Sequence, residues 1–138
     1  MGADHFYAYE AMRLTPAQRE ELIAHARENS PEECCGVMRL SEGAVQEILP
    51  AKNHYKSPRY GYELGIDALM PATEWEDEGF GVVVYHSHPR SPAEPSQTDR
   101  NLAGELDWIH VIVSPLDDSV RAFRLKGGKV DEEPVEIG

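Results

Sequence analysis

Gly81-Val82-Val83-Val84-Tyr85-His86-Ser87-His88-Pro89-Arg90-Ser91-Pro92-Ala93-Glu94-Pro95-Ser96-Gln97-Thr98-Asp99 passes from an apolar run through a proline-rich loop into a helix start. Gly81 to Tyr85 is an unbroken, mostly β-branched run, the pattern of a strand buried on both faces. Pro89, Pro92 and Pro95 stiffen the loop that follows. Ser96-Gln97-Thr98-Asp99 is a capping box that opens a helix from about Gln97 to Glu105. His86 and His88 lie two apart at the strand end, so their imidazoles leave the same face with backbones roughly 6 to 7 Å apart. Two such nitrogens can meet one zinc at about 2.0 to 2.1 Å. A catalytic zinc takes three protein ligands and keeps a position for water, and Asp99, returned by the loop, is the natural third. Taken alone, His-x-His is more often two polar residues near a strand end, and the box has helix initiation as its ordinary duty. The readings are compatible, because a capping hydroxyl is rigidly held, as a catalytic donor must be.

Working outward, the same logic orders the rest of the chain. His5 to Leu14 alternates aromatic and polar residues and is expected to be a first strand. Thr15-Pro16-Ala17-Gln18 supplies a capping hydroxyl, a proline at the first helical position and a reciprocal Gln, so a helix begins there, buries Leu22, Ile23 and Ala26, and stops before Ser30-Pro31. Cys34 to Leu40 and Val45 to Leu49 read as strands turned at Ser41-Glu42-Gly43. Tyr60 to Leu64 is expected as a short strand, and Ile66 to Trp75 as a helix that Pro71 kinks or restarts. Ile109 to Val113 and Val120 to Leu125 are two more strands, with Gly127-Gly128 turning into a weak last one near Val130. Mixed α/β around one sheet is the resulting class.

Hydrolysis with a metal-activated water also needs a carboxylate that moves a proton to the leaving amine. Glu33, in Pro31-Glu32-Glu33-Cys34-Cys35-Gly36 just before an apolar segment, is the candidate. Glu32 stays open on physical grounds, and a surface acid is the bland alternative for either.

Composition bounds the partners. The 138 residues carry 13 Lys+Arg against 25 Asp+Glu, a net charge of -12, which repels phosphate backbones and anionic membranes. Neither nucleic acid nor membrane is expected as a partner. No run approaches the roughly 20 apolar residues of a spanning helix, and a cytoplasmic protein is expected. Cys34 and Cys35 are adjacent, with no Cys-x-x-Cys, so packing on opposite faces of a strand is favoured over redox or ligand chemistry. Asp131-Glu132-Glu133 reads as a solvated tail.

His86-Ser87-His88-Pro89, six residues, Ser96, two residues, Asp99 resembles without a gap the His-x-His-Pro-x6-Ser-x2-Asp signature of the JAMM (MPN-plus) zinc metalloproteases. Pro31-x-Glu33-x-Cys35-Gly36 resembles an element of their small bacterial members. The resemblance implies a single JAMM/MPN domain over residues 1–138 with a mixed central sheet flanked by helices, as in cytidine deaminases. It implies one Zn2+ per chain held by His86, His88 and Asp99, with Glu33 as general acid/base and Ser96 as donor to the oxyanion. It also selects Glu33 over Glu32. Within the family the chain is most similar to bacterial Mec-type peptidases, which release a C-terminal cysteine from a ubiquitin-like sulfur-carrier protein ending in Gly-Gly; Asn53, Ser57-Pro58 and Tyr60 resemble that group more weakly. A homodimer stands among the partners considered, though nothing in the sequence selects one.

Three alternatives compete. A deubiquitinase-like isopeptidase acting on another ubiquitin-like protein would use the same residues. A non-catalytic scaffold needs none of Glu33, Ser96, His86, His88 and Asp99. An iron(II) oxygenase also uses two histidines and a carboxylate, yet gives Ser96 and Glu33 no duty. A zinc deaminase is disfavoured because its Pro-Cys-x-x-Cys half is missing.

Overall fold

A computed structural model describes residues 11–102 and 108–138. One eight-stranded mixed sheet organises them: β1 (Met12–Leu14), β2 (Cys35–Ser41), β3 (Ala44–Ala51), β4 (Gly81–Ser87), β5 (Ile109–Ser114), β6 (Ser119–Arg124), β7 (Asp131–Glu133) and β8 (Val135–Ile137). Their spatial order is β7-β6-β5-β4-β2-β3-β1-β8. β4 pairs parallel with β5 and antiparallel with β2, so the apolar run lies mid-sheet, as its pattern requires.

Among the described residues, three α-helices accompany the sheet. α1 (Pro16–Asn29) is capped as its sequence demands: Gln18 N donates to Thr15 Oγ1 at 3.1 Å and Thr15 N donates to Gln18 Oε1 at 2.9 Å. It buries Leu22, Ile23 and Ala26 against one face of the sheet, where Met38, Val83 and Tyr85 also pack. Burying a Leu or Ile side chain contributes about 1.5–3 kcal/mol, so Leu22→Ala is the change that would loosen α1. α2 (Ile66–Asp77) covers the opposite face, placing Ala68, Ala72 and Trp75 on Val37, Val82 and Val84. Pro71 sits inside it without ending it. The short α3 (Gln97–Leu102) follows the proline-rich loop; the remainder of the expected helix, to Glu105, lies outside the described residues, as do residues 5–10 of the expected first strand.

Alternation along β4 sends Val83 and Tyr85 towards α1, and Val82 and Val84 towards α2. Cys34 and Cys35 divide in the same way, both free and buried in different clusters, which agrees with packing. Gly36 is needed where β2 crosses Tyr85: a Cβ there would lie 2.4 Å from Tyr85 Cε2 and 2.5 Å from Leu49 O.

Two expectations fail for stated reasons. Tyr60 to Leu64 is not a strand, because its backbone groups bond elsewhere: Gly61 O accepts from Asn53 Nδ2, Glu63 N donates to Asn53 Oδ1, and Glu63 O accepts from His54 N. Asp131-Glu132-Glu133 is a strand rather than a solvated tail, held beside β6 by Arg121–Glu132 and Arg124–Glu133 ion pairs.

Candidate metal centre

The C-terminal end of β4 carries the chemistry. His86, the last β4 residue on the α2 side, is fully buried and stacks on Tyr62, ring centroids 4.4 Å apart. His88 follows one step beyond the strand, tied in by its N–H donating to Val113 O at 2.9 Å. Ser87, between them, is buried and accepts from Cys34 N at 2.8 Å, while its own N–H donates to Cys34 O at 3.1 Å. These two bonds fasten the Glu33 segment to the histidine pair.

Glu33 is 7% exposed, whereas its neighbour Glu32 is exposed. Burial thus separates two residues that their positions in the sequence leave equivalent. The backbone of Glu33 is clamped on both sides: its N–H donates to Pro58 O at 2.8 Å, and its O accepts from Asn53 Nδ2 at 3.0 Å. Asn53 makes two further bonds through Oδ1, accepting from Tyr55 N and Glu63 N, and so holds residues 53–63 as one wall of the site. The Glu33 carboxyl keeps one buried oxygen, Oε1, with no hydrogen-bond partner. Burial pushes this carboxyl up to about 8, His88 pulls it down and Asp99 pushes it up.

Asp99 arrives from the first turn of α3. Asp99 N donates to Ser96 Oγ at 3.0 Å and Ser96 N donates to Asp99 Oδ2 at 2.9 Å, the reciprocal capping pair. The same carboxylate bridges the histidines, Oδ1 standing 3.0 Å from His86 Nε2 and Oδ2 2.9 Å from His88 Nε2. The two Nε2 atoms are 3.2 Å apart. Among the described residues, Glu33, His86, His88 and Asp99 form a buried group whose ligand atoms lie within 4.8 Å of one another.

Lone-pair counting shows what this arrangement lacks. Pro92 O lies 2.8 Å from His88 Nδ1, so the neutral ring donates from Nδ1 and presents a bare Nε2. That bare nitrogen faces Asp99 Oδ2, acceptor against acceptor. One proton on His86 Nε2 relieves one contact but not both. Either an extra proton or a metal cation resolves the conflict. Burial lowers the His88 pKa, but bonding to Asp99 and Pro92 raises it more, and the net shift is upward. Burial opposes ionisation of Asp99, yet the two histidines hold its carboxyl far below the usual range. His86, wholly buried, is lowered chiefly by desolvation, and its Nδ1 has no partner. In a tetrahedron with arms of about 2.0–2.1 Å, donors stand about 3.3 Å apart. The separations of 2.9–3.2 Å among the three donor groups therefore fit a cation of that kind.

A cleft of about 320 Å³ opens onto the cluster, lined in part by Glu33, His88 and Ser96. Ser96 Oγ accepts from Asp99 N and keeps its own proton for another acceptor. All five residues singled out in the sequence thus gather at one place. Ser87, Tyr62 and the Pro92 carbonyl are the participants that sequence reasoning missed. Ser87 could have been found, since a small hydroxyl between two histidines on a buried strand needs a partner; Tyr62 and Pro92 act through contacts that no local pattern announces.

The chain resembles known proteins over most of its length. It is 39% identical over 124 residues to the CysO-cysteine peptidase of Mycobacterium tuberculosis, covering 84% of each chain. It is 35% identical over 112 residues to a Thermus thermophilus protein named "probable TtuB-protein conjugate cleaving protease", covering 80% of this chain and 73% of that one. In structure, a JAB1/MPN domain protein from Archaeoglobus fulgidus superposes with a TM-score of 0.63 at 20% identity, covering 94% of this chain and 100% of the other; it shares the fold. The family model for prokaryotic homologues of the JAB domain matches residues 15–126, and the chain belongs to that family.

Proposed function

We propose that this protein is a zinc metallopeptidase that hydrolyses the bond after the C-terminal Gly-Gly of a ubiquitin-like sulfur-carrier protein and releases one amino acid, most simply cysteine. The observation that carries the reading is the buried convergence of Glu33, His86, His88 and Asp99, whose ligand atoms lie within 4.8 Å of one another and where a divalent cation turns the contact between a neutral His88 Nε2 and Asp99 Oδ2 into coordination. The named activities of the relatives from Mycobacterium and Thermus support the substrate class.

His86, His88 and Asp99 would hold the zinc, one ion per chain. When bound, zinc supplies Lewis acidity towards the scissile carbonyl and lowers the pKa of a water towards 7. The chain's own residues do the rest. Glu33, whose Oε1 has no competing partner, takes a proton from the attacking water and delivers it to the departing amine. Ser96 donates its free hydroxyl proton to the oxygen that becomes negative in the tetrahedral state, where a donor is worth most. The Pro92 carbonyl keeps His88 in the tautomer that offers Nε2. Glycines before the scissile bond suit the cleft because they carry no side chain to hold the backbone away.

The test is to incubate the purified, zinc-loaded protein with a carrier extended by one residue after Gly-Gly and to follow the carrier's mass. Loss of that one residue, abolished by Glu33→Gln, is the expected result. Unchanged carrier, or random internal cleavage of an unrelated folded protein, would sink the proposal.

A further inference from the structure

The same cleft holds two features that the hydrolytic cluster does not use. Arg59, from the wall that Asn53 organises, and Arg90, from the proline-rich loop, both line it together with Tyr60. Both arginines are exposed. Arg90 leans on the Tyr60 ring, its guanidinium carbon 5.9 Å from the centroid, and Tyr60 is itself 67% exposed. An exposed aromatic beside a guanidinium restricts the cation without neutralising it.

Among the described arginines, Arg13, Arg59, Arg90 and Arg100 have no ion pair, and of these Arg59 and Arg90 line the cleft. Arg19, Arg27, Arg39, Arg121 and Arg124 each pair with a carboxylate, as an excess of 25 acids over 13 bases would lead one to expect. Among the described residues, neither Arg59 nor Arg90 has an ion-pair partner. The surrounding sequence is depleted of acids as well: from Ile48 to Tyr62 the chain carries Lys52, Lys56 and Arg59 and no carboxylate. A molecule of net charge -12 therefore presents two exposed cations at the rim of the cleft that opens onto its buried cluster. Unpaired cations at the mouth of a cleft concentrate ligands of the opposite sign there.

We propose that Arg59 and Arg90 recognise the free α-carboxylate of the residue released, making this site selective for a single C-terminal amino acid over a side-chain isopeptide. The inference rests on the peptidase reading and sharpens its substrate. An α-carboxylate sits two bonds from the leaving nitrogen, so it stays inside the cleft that holds the scissile bond, and a planar guanidinium matches its two oxygens. A lysine in an isopeptide conjugate brings no carboxylate to that position.

The experiment uses a peptide ending in Gly-Gly-Cys as the free acid and as the C-terminal amide, each alone and as the extension of a whole carrier. Zinc-loaded enzyme should prefer the acid by about tenfold in kcat/KM, the range of a charge-assisted pair at a half-open site. Arg59→Gln and Arg90→Gln should each shrink that ratio, mostly through KM, and together bring it near one, while Arg90→Lys keeps part of it. A second readout needs no turnover: the Glu33→Gln protein should bind the acid peptide about tenfold more tightly than the amide, and added salt should erase the difference. Equal hydrolysis and equal binding of acid and amide would overturn the inference and leave the peptidase reading standing. Arginine effects confined to whole-carrier substrates, alike for acid and amide, would overturn it too, by assigning the pair to acidic groups on the carrier's body. Absence of hydrolysis in every arm would sink the peptidase reading, and the binding comparison would still decide the carboxylate preference.

Discussion

Asp99 and Glu132 are both carboxylates with two side-chain nitrogens at hydrogen-bond distance, and they mean opposite things. Glu132 accepts from Arg121 Nε at 2.9 Å and Nη2 at 2.8 Å, a fork in which every proton has a taker. Asp99 faces two imidazole nitrogens at 3.0 and 2.9 Å, one of which has no proton to give while its ring is neutral. The first pair is complete and lies at the rim, with the Glu132 side chain 49% exposed; Asp99's side chain is 2% exposed. Similar distances therefore distinguish a finished contact from an unfinished one only when protons are counted. The unfinished one is where function is to be sought.

The largest expected effect falls on the unfinished side. Asp99→Ala removes the bridge between the histidines, and elemental analysis should find that the purified protein no longer retains zinc, with hydrolysis reduced to background. A variant that held a full equivalent of metal would end the comparison. Ser96→Ala and Glu33→Gln should both keep the metal. The first should slow turnover by about 10²–10³ if its hydroxyl serves the oxyanion, and the second by about 100-fold or more. Normal turnover in Glu33→Gln would return attention to Glu32.

His110 offers an intermediate case, a buried titratable residue on β5 outside the cluster. Burial brings its pKa down to about 4, with His86 pushing the same way and Asp99 opposing. The folded state therefore favours the neutral ring. Its contribution is complete above the ordinary value near 6.5 and is lost as pH falls from there through 4. Over that window wild-type protein should lose roughly 3 kcal/mol of stability that His110→Gln does not, read from denaturant midpoints in paired titrations. Parallel curves would show that the ring is not held neutral. The smallest effect belongs to the finished pair: Arg121→Gln should cost below about 1 kcal/mol, and less in high salt. A cost of several kcal/mol would mean that the rim is as electrostatically demanding as the interior.

The parts legible in the sequence were those whose causes are local. A capping box states its own geometry at Thr15 and again at Ser96, and a β-branched run ending in His-x-His needs only the period of a strand to bring two imidazoles together. Glu33 was legible as a candidate but not as a choice. What separates it from Glu32 is burial, produced by Pro58 and Asn53 some 20 and more positions away. The same kind of distance hid the irregular course of Tyr60 to Leu64, where an asparagine side chain replaces a neighbouring strand. It also hid what holds β7, the weak last strand expected near Val130, whose three acids look solvated until Arg121 and Arg124 are set beside them.

Asn53 is also where a single chemical change would disarm the site without touching the metal ligands. Its amide nitrogen donates to two carbonyls, Glu33 O and Gly61 O, both at 3.0 Å. Deamidation would turn that donor into a third oxygen with a negative charge, facing two acceptors at a half-buried position. The backbone of Glu33 would lose its clamp, while His86, His88 and Asp99, fastened through β4 and α3, would keep theirs. A molecule so altered should therefore be one mass unit heavier, bind zinc normally and turn over poorly. This failure would pass unnoticed in any assay of metal content alone.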